Sequence, residues 1–94
     1  MRGKAGAAAR LMKGLGNRNR LMILCELHKG ERSVGELRKV VRLAQSALSQ
    51  HLARLRRDGL VRTRREAQSV YYSIADPAVT AVIGVLYRTY CGKS

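Results

Sequence analysis

The residues best suited to chemistry in this sequence are concentrated between positions 45 and 57. This stretch is rich in short amides, hydroxyls and guanidinium groups, the side chains that bind base edges and phosphates in the major groove of DNA. They are Gln45, Ser46, Ser49, Gln50, Arg54 and Arg57. The stretch contains no acid, whereas a solvated helix face more often carries Glu and Lys pairs. The pattern therefore predicts a DNA-reading surface, with an ordinary solvated face as the alternative.

Arginines continue beyond this stretch. Six of the twelve residues from 54 to 65 are Arg, against one acid: Arg54, Arg56, Arg57, Arg62, Arg64 and Arg65. The planar guanidinium suits phosphate because it donates two parallel hydrogen bonds. We expect Arg62, Arg64 and Arg65 to contact DNA, although charge that only keeps a hairpin soluble is the alternative for any one of them. The 19 Lys and Arg against 6 Asp and Glu, a net charge of +13, favour a polyanionic partner.

Cys25 and Cys91 also have chemistry of their own. They lie far apart in the chain and outside any C-x-x-C motif, so composition alone leaves two buried thiols as the default. His28 ends a predicted helix, where a cation is favourable, and His51 is expected either near DNA or packed in the core. Two thiols and two imidazoles so widely separated predict no metal site. No Ser, His and acid set indicates an enzyme, and no cofactor is expected.

A leucine stripe positions the DNA-reading surface. Leu48, Leu52 and Leu55 recur at i, i+4 and i+7, which predicts a helix from about Gln45 to Arg57 with one narrow buried side. Gly59 ends this helix because glycine readily adopts the left-handed conformation that follows many helices.

Three helices are predicted before it. The first runs from Ala5 to Lys13 and is ended by the pair Gly14 and Gly16. The second begins at a cap residue, Asn17, is apolar on most sides and stops at Lys29-Gly30. The third opens with a capping box at residues 33–36, in which a Ser hydroxyl and a Glu carboxylate each bind a free backbone N–H.

After Gly59 the hydrophobic period changes from 3.6 to 2 residues. Residues 60–64 and 70–74 are predicted strands, and residues 65–69 are a polar tip between them. Asp76-Pro77 begins the last helix, which runs to about Cys91. The apolar face of this helix is wider than one contact surface needs. Its members are Ala78, Val79, Ala81, Val82, Ile83, Val85, Leu86 and Tyr90.

These elements predict a mainly α fold with a β-hairpin wing, a winged helix-turn-helix in the order α1-α2-α3-α4-β-β-α5. We expect one domain over residues 1–94, with the helix-turn-helix at 33–57 and the wing at 60–74. A chain this short buries little surface alone, which favours a homodimer through the helices at 1–16 and 77–92. The absence of a long apolar stretch and of a recognisable signal peptide predicts a cytoplasmic protein without a membrane partner.

Several segments resemble the ArsR/SmtB family of regulators. They are SVGEL at 33–37, QSALSQHL at 45–52 and LRRDGLV at 55–61. Within that family, RREAQSVYY at 64–72 and LYRTYC at 86–91 are similar to the HlyU and BigR branch. The resemblance covers about residues 8–92 and implies a homodimer that binds a palindromic DNA operator. One position departs from the family: Ala44 stands where a Ser or similar cap is usual, at a local cost of about 1 kcal/mol.

The resemblance also implies that Cys25 and Cys91 meet within one subunit and form a disulfide or polysulfide link. Basic surroundings, Arg88 among them, favour a reactive thiolate there. On this hypothesis the thiol redox or sulfane-sulfur state of the pair controls DNA affinity, with a small oxidant or a polysulfide as effector.

Other functions stay open at this point. They are an HlyU-like activator or anti-repressor with structural cysteines, a metal-sensing repressor, a small thiol oxidoreductase and a cationic protein of the ribosome or nucleoid. Metal sensing is disfavoured because Ser33 and Gly35 occupy positions where metal-sensing members carry cysteines, and the last helix has no His.

Overall fold

The elements follow the predicted order of four helices, a hairpin and a last helix. The structure is a computed structural model that describes residues 2–91. After a short 3-10 turn, its elements are α1 (Ala5–Leu15), α2 (Arg18–His28), β1 (Arg32–Ser33), α3 (Val34–Val40), α4 (Gln45–Arg57), β2 (Val61–Glu66), β3 (Ser69–Ile74) and α5 (Pro77–Tyr90). None of the helices within these residues is long and apolar enough to cross a membrane.

Side-chain caps begin three of the helices, as predicted. Asn17 Oδ1 accepts hydrogen bonds from the backbone N–H groups of Asn19 and Arg20, at 2.9 and 3.1 Å. The capping box of α3 is complete, because Ser33 Oγ accepts from the Glu36 N–H and the Glu36 carboxylate accepts from the Ser33 N–H. Asp76 Oδ1 accepts from the Ala78 N–H at the start of α5. These bonds satisfy N–H groups that a helix leaves unpaired at its start.

The core is formed by buried side chains from all five helices and from β2. The predicted stripe is confirmed, since Leu48, Leu52 and Leu55 are at most 2% exposed. Their side chains join a cluster that also contains Leu15, Ile23, Leu24, Leu27, Leu37, Val41, Leu60, Val61, Val79 and Ile83. Burying the stripe holds the opposite side of α4 towards solvent.

The hairpin belongs to a three-stranded antiparallel sheet in the order β1-β3-β2. The short strand β1 was not predicted, and it pairs Arg32 with Tyr72 and Ser33 with Tyr71. The predicted tip at residues 65–69 is wrong at both ends, because Arg65 pairs with Val70 and Glu66 with Ser69. Only Ala67 and Gln68 form the turn, with Ala67 at φ 55°. Both faces of this ribbon end are polar, so hydrophobic alternation gives no signal there.

The predicted end of α1 at Lys13 is two residues too early, since the helix continues through Gly14 to Leu15 and only Gly16, the second glycine of the predicted stop, is its C-cap residue. A Cβ on Gly14 would lie 2.7 Å from Leu60 Cδ1, so this glycine permits close packing rather than stopping the helix. The carbonyl oxygen of Gly14 accepts a 2.7 Å hydrogen bond from Nε of Arg20, a residue only 7% exposed. The end of α1 is therefore held by a buried guanidinium from α2.

Candidate nucleic-acid interface

The exposed side of α4 is free of acids and opposite the buried leucines. Four of the predicted DNA-reading residues are exposed on α4: Gln45, Ser46, Ser49 and Gln50. The helix starts at Ala44 without a side-chain cap and without an acid in its first turn. Its first N–H groups and the positive end of its dipole therefore face outward, an arrangement that favours an anion.

Arg54 lies at the edge of this surface rather than at its centre. Its side chain is 36% exposed, and its Nε lies 3.7 Å from a carboxylate oxygen of Asp58. Neighbouring His51 is partly buried, and burial, followed by the charges of Arg20 and Arg54, lowers its pKa. Both the burial and the neighbouring positive charges therefore favour the neutral form of the His51 imidazole. Arg57 is more open, with a 73% exposed side chain.

The wing presents its arginines unequally. Arg62 and Arg65 are exposed, and neither side chain donates a hydrogen bond to another residue within 2–91. Arg64, on the same strand face as Arg62, is engaged by carboxylates: Nη2 and Nε donate to Glu31 at 2.8 and 3.0 Å, and Nη1 donates to Glu66 at 2.6 Å. Contact between Arg64 and DNA stays a prediction that requires the release of these carboxylates.

Further basic residues border α4 and were missed as site residues. Arg38, Lys39 and Arg42 are exposed on α3 and the turn after it. Arg38 Nη1 also lies 3.4 Å from Gln45 Oε1, the acceptor at the start of α4. Three basic residues within five positions, beside the predicted turn, could have indicated a DNA contact from the sequence. The reason is that the first helix of a helix-turn-helix commonly crosses the DNA backbone.

A groove of about 430 Å³ separates α4 from the sheet. Ser49 and Arg56 line it from α4, and Tyr72 lines it from β3. With Arg57 also lining it, the groove carries two guanidinium groups and two hydroxyls between the helix surface and the wing, groups that suit a sugar–phosphate backbone.

The two cysteines face one cavity of about 420 Å³ between α2, the end of α3 and α5. Both are free thiols: Cys25 is half-buried and Cys91 is exposed. Burial, followed by the neighbouring Cys91, raises the pKa of Cys25, so the expectation of an easily formed thiolate is wrong for this residue. Met22 and Val40 also line this cavity and are 39% and 48% exposed.

Histidines and metals add no second site among the described residues. The His28 ring packs against Tyr87 of α5, with 5.7 Å between the ring centroids. Within residues 2–91, no three His, Cys, Asp or Glu side chains are grouped closely enough to hold a metal ion.

Comparison with known families gives a match over the helix-turn-helix. Residues 17–63 match the family described as bacterial regulatory protein, arsR family. The transcriptional activator HlyU of Vibrio cholerae serotype O1 is 53% identical over 91 residues, which are 97% of this chain and 84% of that protein. The HTH-type transcriptional regulator YgaV of Escherichia coli is 44% identical over 97% of this chain and 93% of that protein.

Solved structures agree with this match. HlyU from Vibrio cholerae N16961 superposes with a TM-score of 0.93 at 52% identity, covering 98% of this chain and 100% of that chain. The transcriptional repressor BigR from Xylella fastidiosa has a TM-score of 0.90 at 36% identity, covering 99% and 95% of the two chains. The predicted winged-helix fold and the predicted resemblance are confirmed.

Proposed function

The chain belongs to the arsR family of bacterial regulatory proteins, DNA-binding transcriptional regulators rather than enzymes, and we propose that it binds a palindromic operator as a homodimer. In this proposal α4 enters the major groove, and the exposed wing arginines Arg62 and Arg65 meet the DNA backbone. One observation carries the proposal: the acid-free, outward side of α4 lies beside the basic surfaces of α3 and the wing. Base edges give sequence preference, whereas phosphate contacts give affinity.

Operator binding by the double variant Ser49→Ala/Gln50→Ala tests the reading helix. We expect it to lose preference for the operator over unrelated DNA, by about 1–3 kcal/mol for each base contact removed. The matched control is Thr80→Ala, another exposed polar position, on α5. Equal operator preference of the double variant and the control would reject α4 as the reader.

The variant Arg54→Ala tests whether a residue at the edge of the α4 surface also contacts a base. Arg54→Ala should relax preference at one base if the guanidinium leaves Asp58 in the complex. Arg65→Ala should instead weaken all sequences alike and reduce the salt slope by about one. If Arg54→Ala weakens all sequences alike, the residue contacts phosphate and not a base.

The proposed dimer uses α1 and α5. Met12 on α1 and Val85 on α5 are 55% and 52% exposed, and Tyr90 at the end of α5 is 80% exposed. Large apolar side chains left in water on a small domain favour burial against a second copy. Val85→Asp should therefore give a monomer in sedimentation experiments and abolish binding to a two-half-site operator.

A matched control for that variant is Thr80→Asp. Thr80 lies about 140° around α5 from Val85, so it places the same charge on a different side of the helix. A Val85→Asp protein that stays dimeric at micromolar concentration would contradict the proposed interface.

We also propose that oxidation of Cys25 and Cys91 weakens operator binding. Their shared cavity supports this, and one solved structure of the Vibrio cholerae relative is described as reduced HlyU. With hydrogen peroxide, the Cys91 thiolate attacks one oxygen, the O–O bond breaks and a sulfenic acid forms. The Cys25 thiolate then attacks that sulfur, so two thiols and one peroxide give one disulfide and two waters.

The bond would tie α2 to the end of α5, which is part of the proposed dimer interface. A shift there changes the distance between the two reading helices, which must match half-sites about one DNA turn apart. Operator affinity should fall after peroxide or polysulfide treatment by about 1–3 kcal/mol, the usual size of such coupling. Cys25→Ser and Cys91→Ser should abolish the response. If both variants respond as wild type does, the switch lies elsewhere.

A second candidate keeps DNA binding but makes the cysteines structural. The names of the relatives favour neither sign of control, since HlyU is an activator and BigR a repressor. An operator affinity that is unchanged by oxidation in the wild type would select this candidate. A reporter gene behind the operator would then decide between activation and repression.

A further inference from the structure

One guanidinium spans the three-stranded sheet. Arg64 starts on the edge strand β2 and lies over the ring of Tyr71 on the central strand β3, with 4.9 Å from its Cζ to the ring centroid. It then reaches Glu31, which directly precedes β1 on the other edge. Nε and Nη2 donate to the two oxygens of that carboxylate, the parallel geometry that makes arginine–carboxylate pairs specific.

The two carboxylates on Arg64 connect different parts of the molecule. Glu66 lies on β2 itself, two residues from Arg64, so that bond stays within the hairpin. Glu31 lies in the segment that leads through β1 to Ser33, the cap of α3. The Glu31 bond therefore joins the wing to the start of the helix-turn-helix, whereas the Glu66 bond does not.

From this geometry we propose that Glu31 and Arg64 form a clamp that positions the wing for operator binding, so that an acidic residue is needed to bind a polyanion. The proposal rests on the proposed function and deepens it. Arg65 follows Arg64 on β2, and its place relative to α4 depends on how the hairpin is held. Arg64 is a positioning residue here, because its donor nitrogens are already directed at carboxylates rather than at DNA.

The sign of one substitution separates positioning from simple electrostatics. If Glu31 only repels phosphate, or keeps Arg64 away from it, Glu31→Gln strengthens DNA binding and steepens its salt dependence. If Glu31 holds the wing, the same substitution weakens binding. Glu66→Gln is the matched control, because it removes the same charge and a bond to the same arginine without cutting the link to the helix-turn-helix.

Operator affinity at one fixed ionic strength is the test. We expect Glu31→Gln and Arg64→Gln each to weaken binding about threefold, the size appropriate to an exposed ion pair, and Glu66→Gln to leave it unchanged or tighter. The double variant Glu31→Gln/Arg64→Gln should be no weaker than Arg64→Gln alone, since both changes open the same clamp. In the Arg64→Gln background, Arg65→Ala should lose less affinity than it does in the wild type.

Two results would overturn the clamp. One is tighter binding by Glu31→Gln, and the other is a Glu66→Gln defect as large as that of Glu31→Gln. Amide hydrogen exchange without DNA separates this failure from failure of the proposed function, because the clamp predicts faster exchange between β1 and β3 in Glu31→Gln and Arg64→Gln but not in Glu66→Gln. If the wild type shows no operator preference but Glu31→Gln still exchanges faster than the wild type between β1 and β3, the proposed function is refuted and the clamp is retained.

Discussion

Arg20 joins the end of α1 to the core, and its removal should destabilise the protein measurably. Its Nε donates to the Gly14 carbonyl at 2.7 Å, and its Nη2 donates to the Lys13 carbonyl at 3.3 Å. A hydrogen bond from a charged donor contributes about 1.5–3 kcal/mol to stability, and the longer second bond contributes less. Burial and the nearby Arg54 charge lower the pKa of Arg20, so part of that gain is offset. The net loss in Arg20→Met, which keeps an apolar stem, is about 2 kcal/mol.

Thermal and urea unfolding at equal protein concentration measure this loss. For a chain of 94 residues, 2 kcal/mol lowers the Tm by about 10 °C. Equal concentration matters because association with a second copy raises apparent stability. The matched control is Arg18→Met, which removes the same charge from an exposed position of the same helix and should change stability by less than about 0.5 kcal/mol. If Arg20→Met unfolds at the same temperature as Arg18→Met, the buried guanidinium does not stabilise the end of α1.

Three further outcomes are expected. Ala44→Ser should raise the free energy of unfolding by about 1 kcal/mol in chemical denaturation, because it adds the missing cap of α4; an unchanged value would show that the Ser hydroxyl does not reach the N–H groups. Iodoacetamide followed by mass spectrometry should label exposed Cys91 before Cys25, whose thiol is half-buried and has a raised pKa; faster labelling of Cys25 would contradict the order of attack proposed above. Hydrogen bonds from Arg64 lower the pKa of Glu31. The stabilisation from this carboxylate is therefore fully present above the ordinary glutamate pKa of about 4.3. It is lost only as the pH falls through the lower pKa of the folded protein. The difference in Tm between wild type and Glu31→Gln should accordingly stay constant from about pH 6 to 8 and disappear only in stronger acid; a difference that disappears near pH 6 would refute it.

Local signals determined much of the fold. The leucine spacing gave the bounds of α4, and Gly59 follows that helix with φ 76°. The capping box at Ser33 began α3, and Asp76 began α5, as the residue types predict. Each of these signals acts over four residues or fewer, because helix caps and the helical period join near neighbours in the chain. The chemistry of the α4 surface follows from the same spacing, since burying one side exposes the other.

The pairing of the wing arginines could not be predicted from local sequence signals. From composition, Arg62, Arg64 and Arg65 have the same expected role. The alternation of side chains along a strand predicts only which of them share a face of the sheet. The structure gives Arg64 a partner, Glu31, that is 33 residues away in the sequence. Such a pairing depends on how the sheet closes, and no local period encodes it. The same holds for β1, a strand of two residues that exists only through its pairing with β3.

The sequence by itself determined the order of the helices, the exposed acid-free surface of α4 and the presence of the hairpin, because these arise from side chains a few positions apart. Only the tertiary structure decided which charged groups are paired and which thiol is partly buried. The glycine at position 14 inside α1 leaves room for Leu60, which lies in the turn between α4 and β2, and Cys25 has a raised pKa because packing removes water from its thiol. The solvation of a side chain and its pairing with a distant residue are properties of the folded chain, since both exist only once distant segments have packed together.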